Sequence, residues 1–130
     1  MFAAGDLANF PLPGTRRRTR IEHWRVAQEQ ARTASANMMG LEQPYQGLPY
    51  FWTYHYGVRY EFFGQVPDEG ELLINGDLNQ SIFVAAYLYE GRCEAVFSAN
   101  CQSETARLFD HMQREGSPSL KTFEAIVHVN

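Results

Sequence analysis

Cysteine is scarce in this sequence: there are two, Cys93 and Cys101, with seven residues between them and no C-x-x-C pair. That excludes a disulfide framework and argues against a dithiol or zinc site. Without a secretory leader, the two read as reduced, buried thiols of a cytoplasmic protein. The four histidines are scattered without metal-ligand spacing, so no metal is expected. Cations are also few. Eleven Lys and Arg against fifteen Asp and Glu give a net charge of -4 and a pI near 5.5. Nucleic acid and anionic membrane surfaces, which need clustered positive charge, are therefore not expected partners. No apolar run approaches the ~18 residues that would suggest a membrane span. No G-x-G-x-x-G occurs either, so the chain does not contain a whole dinucleotide site.

What is present is a globular composition, 45% hydrophobic and 20% charged over 130 residues. That fits one ordinary domain or the closing section of a larger one. Nine aromatic residues crowd into the nineteen positions from Tyr45 to Phe63, a density that needs a surface to pack against.

Met1–Asp6 reads as the end of a strand closed by a glycine turn, and residues 10–20, with Pro11, Pro13, Gly14 and four arginines, as an exposed loop. Thr19 and Glu22 have the spacing of a capping box and predict a helix start there. Trp24, Ala27, Ala31, Ala34 and Met38 supply its apolar stripe, and Gly40 its end.

From Tyr50 the periodicity shortens to that of strands: Tyr50–Tyr56, Val58–Phe63, Glu71–Ile74, Ile82–Tyr89 and Cys93–Ala99. Glu90-Gly91 marks a hairpin between the last two. Residues 102–115, with Ala106, Leu108, Phe109 and Met112, form an amphipathic helix, and Ser119–Val127 a shorter one. The expected fold class is α+β: an antiparallel sheet of about five strands with flanking helices, preceded by one long helix.

Ala3-Ala4-Gly5-Asp6, Arg20-Ile21-Glu22-His23-Trp24, Gln43-Pro44-Tyr45 and Pro49-Tyr50-Phe51-Trp52-Thr53 occur in that order. Asn75-Gly76-Asp77 and Phe83–Leu88 follow. Together they resemble the C-terminal segment of the FAD-dependent pyridine nucleotide-disulphide oxidoreductases, of the ferredoxin-reductase and apoptosis-inducing-factor-like type. The Tyr54-His55 pair departs from the Asp-Gln pair of the ferredoxin-reductase branch and is closer to the apoptosis-inducing-factor-like branch. The resemblance implies that residues 1–40 are the tail of an FAD-binding domain and 41–130 the reductase C-terminal domain. It implies FAD as cofactor, NAD(P)H as hydride source in the intact enzyme, and no catalytic residue in this segment, which is expected to be inactive alone.

By the same resemblance Gly5 and Asp6 approach the FAD ribityl chain. Glu22, His23 and Trp24 open a helix whose amides face the pyrimidine edge of the isoalloxazine, where a helix N-terminus favours negative charge. Phe51 and Trp52 shield the flavin ring system from water. Read without the resemblance, Asp6 is a turn residue. On that reading Glu22 is a cap, Trp24 is core, and Phe51 and Trp52 are packing aromatics pointing to opposite faces of a strand. Arg16, Arg17, Arg18 and Arg20 form either a solvated loop or a landing site for an acidic redox partner. The rival reading of the chain is a non-catalytic dimerisation or interaction module, docking on itself or on a separate flavoprotein that binds FAD and NAD(P)H.

Overall fold

The computed structural model describes residues 1–12 and 18–129. They divide into two compact units, Met1–Leu48 and Pro49–Asn130.

In the first unit, residues 1–4 pair with no strand among the described residues, although Ala4 is extended (φ -144°, ψ 156°), and the expected strand end is instead a 3-10 turn, Gly5–Leu7. Two short strands, β1 (Phe10–Pro11) and β2 (Arg18–Thr19), pair antiparallel with Phe10 opposite Thr19. Thr19 is therefore spent on a strand pair and caps nothing, which corrects the predicted helix start. Helix α1 runs Trp24–Met38, and its cap is His23, whose Nδ1 accepts from the Arg25 amide at 3.2 Å.

The predicted alanine stripe is also corrected. Val26 and Gln30 are the buried positions of α1, while Trp24, Ala31 and Met38 are exposed. After Gly40 the chain is clamped back on the helix: the Asn37 side chain donates to Gln43 O at 2.8 Å and accepts from Gln43 N at 2.6 Å. Tyr45 packs edge-on against Phe10 (5.2 Å) and donates to Glu29.

The second unit is a five-stranded antiparallel sheet in the order β3-β4-β7-β6-β5, with β3 (Tyr50–His55), β4 (Val58–Gly64), β5 (Glu71–Asp77), β6 (Ile82–Tyr89) and β7 (Arg92–Ala99). Two hairpins set the register. Both turn residues have positive φ in Tyr56-Gly57 (50° and 81°) and in Glu90-Gly91 (49° and 71°), the two-residue geometry that matches strand twist.

Helix α2 (Gln102–Glu115) and the short α3 (Leu120–Ile126) follow. On α2 the inward residues are Thr105, Leu108 and Met112, with Ala106 turned outward against expectation. Thr105 bonds Ser98 of β7 at 2.7 Å inside the core, and Phe109 meets the rings of Phe63 and Tyr50 edge-on. Phe63, Val84, Val96, Leu108 and Phe123 are essentially fully buried there.

The opposite face of the sheet carries its own cluster of Phe83, Ala85 and Ala99, with Val58, Tyr60 and Phe97 packed on it. Cys93 and Cys101 are free and buried, as expected. No helix among the described residues is long and apolar enough to cross a membrane.

Candidate functional site

The first unit brings three of the sequence-selected segments together. Gly5 has φ +78°, open to glycine, and a Cβ built on it would lie 3.4 Å from the Ala27 Cβ, so the 3-10 turn sits directly against the second turn of α1. Its amide donates to Gln30 Oε1 at 2.8 Å. Gln30 is only 5% exposed, and sequence reasoning passed over it because it is polar on a helix face. Asp6, next in the chain, is exposed.

At the helix start Trp24 is 61% exposed in this chain, and its ring stacks on His23 at 5.7 Å. The first-turn amides of a helix have no carbonyl partner within it, and His23 satisfies that of Arg25. Glu22 is exposed and pairs with Arg20 at 3.7 Å rather than capping α1.

Of the arginine run, Arg16 and Arg17 lie outside the described residues. Arg18 donates to the Asn9 carbonyl, and Arg20 shares its charge with Glu22.

The second unit holds Phe51 and Trp52 on β3, an edge strand. Phe51 stacks on Phe62 on the helix-free face, whereas Trp52 points to the same face as Tyr50 and Tyr54 and is 46% exposed. Around Trp52 lies a cluster that sequence reasoning did not single out. Arg59 sits 5.1 Å from the Trp52 ring centre and 5.7 Å from that of Tyr54. Its Nη2 donates to Glu61 Oε1 at 3.0 Å and to the Tyr50 hydroxyl at 3.1 Å, and Tyr50 in turn donates to Glu61.

Glu61 is 5% exposed, a buried carboxylate paired with a cation. Burial and the bond to Glu61 push the Tyr50 hydroxyl above its ordinary pKa, so it stays a donor. Tyr54 and Glu61 likewise hold the Arg59 guanidinium in its charged form. The signal in the sequence was the alternation Tyr50-x-Trp52-x-Tyr54 facing Arg59-x-Glu61 across a two-residue turn, which puts all five on one face.

No family model matches the chain. It is 39% identical over 103 residues to apoptosis-inducing factor 3 of Mus musculus, covering 77% of this chain and 17% of that protein. The chain is similar to apoptosis-inducing factor 3 and to ferredoxin--NAD(+) reductase components, consistent with the C-terminal segment of the FAD-dependent pyridine nucleotide-disulphide oxidoreductases. The "3-phenylpropionate/cinnamic acid dioxygenase ferredoxin--NAD(+) reductase component" of Photorhabdus laumondii is 41% identical over 78 residues, 60% of this chain and 20% of that one. A crystal structure of a covalent putidaredoxin reductase-putidaredoxin complex superposes with a TM-score of 0.80 at 25% identity, covering 92% of this chain and 29% of that chain. The chain thus spans about a fifth of the family members it matches in sequence, 17% and 20% of their lengths. The α+β fold, with its five-stranded antiparallel sheet, agrees with the C-terminal domain of these reductases.

Proposed function

We propose that the chain is the flavin-covering C-terminal part of an FAD-dependent NAD(P)H oxidoreductase and is not catalytically complete by itself. Residues 1–40 would be the tail of the FAD-binding domain and 41–130 the reductase C-terminal domain. The observation that supports this most is the packing of the Gly5-Asp6 turn against α1, whose start carries a half-buried His23 stacked on an exposed Trp24. An open glycine backbone, an exposed carboxylate and helix amides are the groups that suit a ribityl chain and the electron-accepting edge of an isoalloxazine, so these residues fit FAD.

FAD, when bound, supplies the hydride acceptor. The work of this chain is to hold and shield it. Asp6 would accept from ribityl hydroxyls, and the start of α1 would favour negative charge at the pyrimidine edge. Trp52 would keep water from the ring system, whereas Phe51, on the other face of β3, packs on Phe62. The remaining parts, including the NAD(P)H site, would come from the rest of the enzyme. Arg18 and Arg20 would face an acidic redox partner of the ferredoxin kind, as suggested by the reductase relatives. The two free thiols suit a reducing, cytoplasmic compartment.

The test uses a chimera in which this chain replaces the matching segment of the Photorhabdus laumondii reductase component. FAD affinity, followed by flavin fluorescence, should fall by about 1–3 kcal/mol on Asp6→Ala, the range for a lost hydrogen bond to a charged group. Equal affinity would remove Asp6 from the site.

A second reading, self-association, is favoured by Leu72 and Ile74, 54% and 40% exposed on the edge strand β5. It requires a defined oligomer of the isolated chain in solution, and a monodisperse monomer would dismiss it.

A further inference from the structure

We infer that Arg59 is a positioning residue that fixes the orientation of the Trp52 indole, through a guanidinium anchored on Glu61 and Tyr50. The inference rests on the reading that Trp52 shields the flavin, but its physical basis lies wholly within the second unit. Trp52 stands on an edge strand with nearly half its surface open, so core packing does not lock its side-chain torsions. An indole in that setting hops between rotamers on a fast timescale. A shield that must lie flat on a planar ring system cannot do its job in that state.

Beside it stands Arg59. A free surface arginine would be as mobile as the indole, yet this one is tied at two points. Glu61 Oε1 lies 3.0 Å from Nη2 and the Tyr50 oxygen 3.1 Å from it, with Glu61 buried at 5% exposure and Tyr50 donating to the same carboxylate. Charge-assisted bonds to a buried, immobile carboxylate fix the plane of the guanidinium. The Trp52 face, 5.1 Å from the guanidinium carbon, is attracted to that fixed cation and takes its orientation from it. Tyr54, edge-on to Trp52 at 5.9 Å, lies beneath the same guanidinium and abuts the indole from its edge. Lysine would keep the charge but lose the flat guanidinium that lies over the Trp52 ring, so the arginine itself is the specific part.

The experiment is 15N relaxation of the Trp52 indole Nε1–H in the full chain carrying Trp24→Phe, which leaves a single indole signal. It needs no flavin, so its failure is distinct from failure of the shielding role, which is read on flavin in the chimera. The expected order parameter is close to that of rigid backbone, about 0.85, falling below about 0.6 in Arg59→Met. In Arg59→Lys it should return part of the way. Backbone amides of β3 and β4 serve as the control. Should Arg59→Met loosen the sheet as well, Glu61→Gln decides: it keeps the arginine and weakens only its anchor, and the indole should still become mobile. An indole that stays rigid in Arg59→Met with an intact sheet, or in Glu61→Gln, overturns the assignment.

Discussion

Phe63→Ala should cost about 3–5 kcal/mol, enough to leave the second unit largely unfolded near body temperature. Phe63 is 0% exposed, lies in β4 near the middle of the sheet and meets Phe109 of α2 at 5.5 Å, edge to face. Truncation removes its buried apolar surface and leaves a cavity whose walls are a β-sheet and a helix, neither of which can collapse without breaking its own hydrogen bonds. Each kcal/mol shifts the melting temperature of a unit this size by roughly 4–8 °C, so the drop should be visible in any thermal melt. A shift of only a few degrees would mean that the sheet and α2 do not share one core. Phe62, directly next in the strand, points to the other face and is half-buried, so Phe62→Ala should cost clearly less.

The second large effect is one of pH. Burial, reinforced by Glu94, pushes the Cys93 thiol from its ordinary 9.0 up to about 12. The folded state thus holds the neutral thiol while the unfolded chain releases its proton near 9. Its contribution to stability is fully present below that pH and is lost as pH rises toward about 12. The slope is about 1.4 kcal/mol per pH unit, or on the order of 4 kcal/mol across the window. Tyr45 and Tyr50, both raised by burial and by bonds to carboxylates, act in the same direction. The Cys93 share is isolated by comparing urea midpoints of the chain and of Cys93→Ala between pH 8 and pH 11. The gap between them should narrow as pH rises. A constant gap would show that Cys93 ionises equally in both states.

Most of the second unit was legible in the sequence, because there local chemistry and global fold agree. Glu90-Gly91 offers the backbone a turn that fits two strands, and the runs on either side alternate or are fully apolar. Ile82–Tyr89 and 102–115 therefore appear where the periodicity placed them.

The start of α1 was misread for a physical reason. Thr19 and Glu22 carry the right side chains for a capping box, but Thr19 pairs with Phe10, a long-range contact that no local pattern announces. The buried stripe of α1 was hidden in the same way. Gln30 is inside because it bonds the Gly5 amide, twenty-five residues away, and not because of its hydropathy.

Asp6, His23 and Trp24 were selected by resemblance to the family, since an exposed acid and a stacked His-Trp pair at a helix start have no periodicity to betray them. Arg59 and Glu61 were visible in principle. Once the Tyr56-Gly57 turn fixes the register, Trp52 must face Glu61 and Tyr54 must face Arg59. Two-residue alternation in neighbouring strands is the cue, and it becomes informative only after the hairpin is recognised.

The measurement that bears most directly on the central claim is the visible spectrum of the chimera described above, before and after anaerobic addition of NADH. If this chain supplies the flavin-covering part of the enzyme, the chimera purifies with close to one FAD per chain and NADH bleaches it. A chimera that is folded and of the right size but colourless, and that takes up no FAD when it is added, would contradict the account.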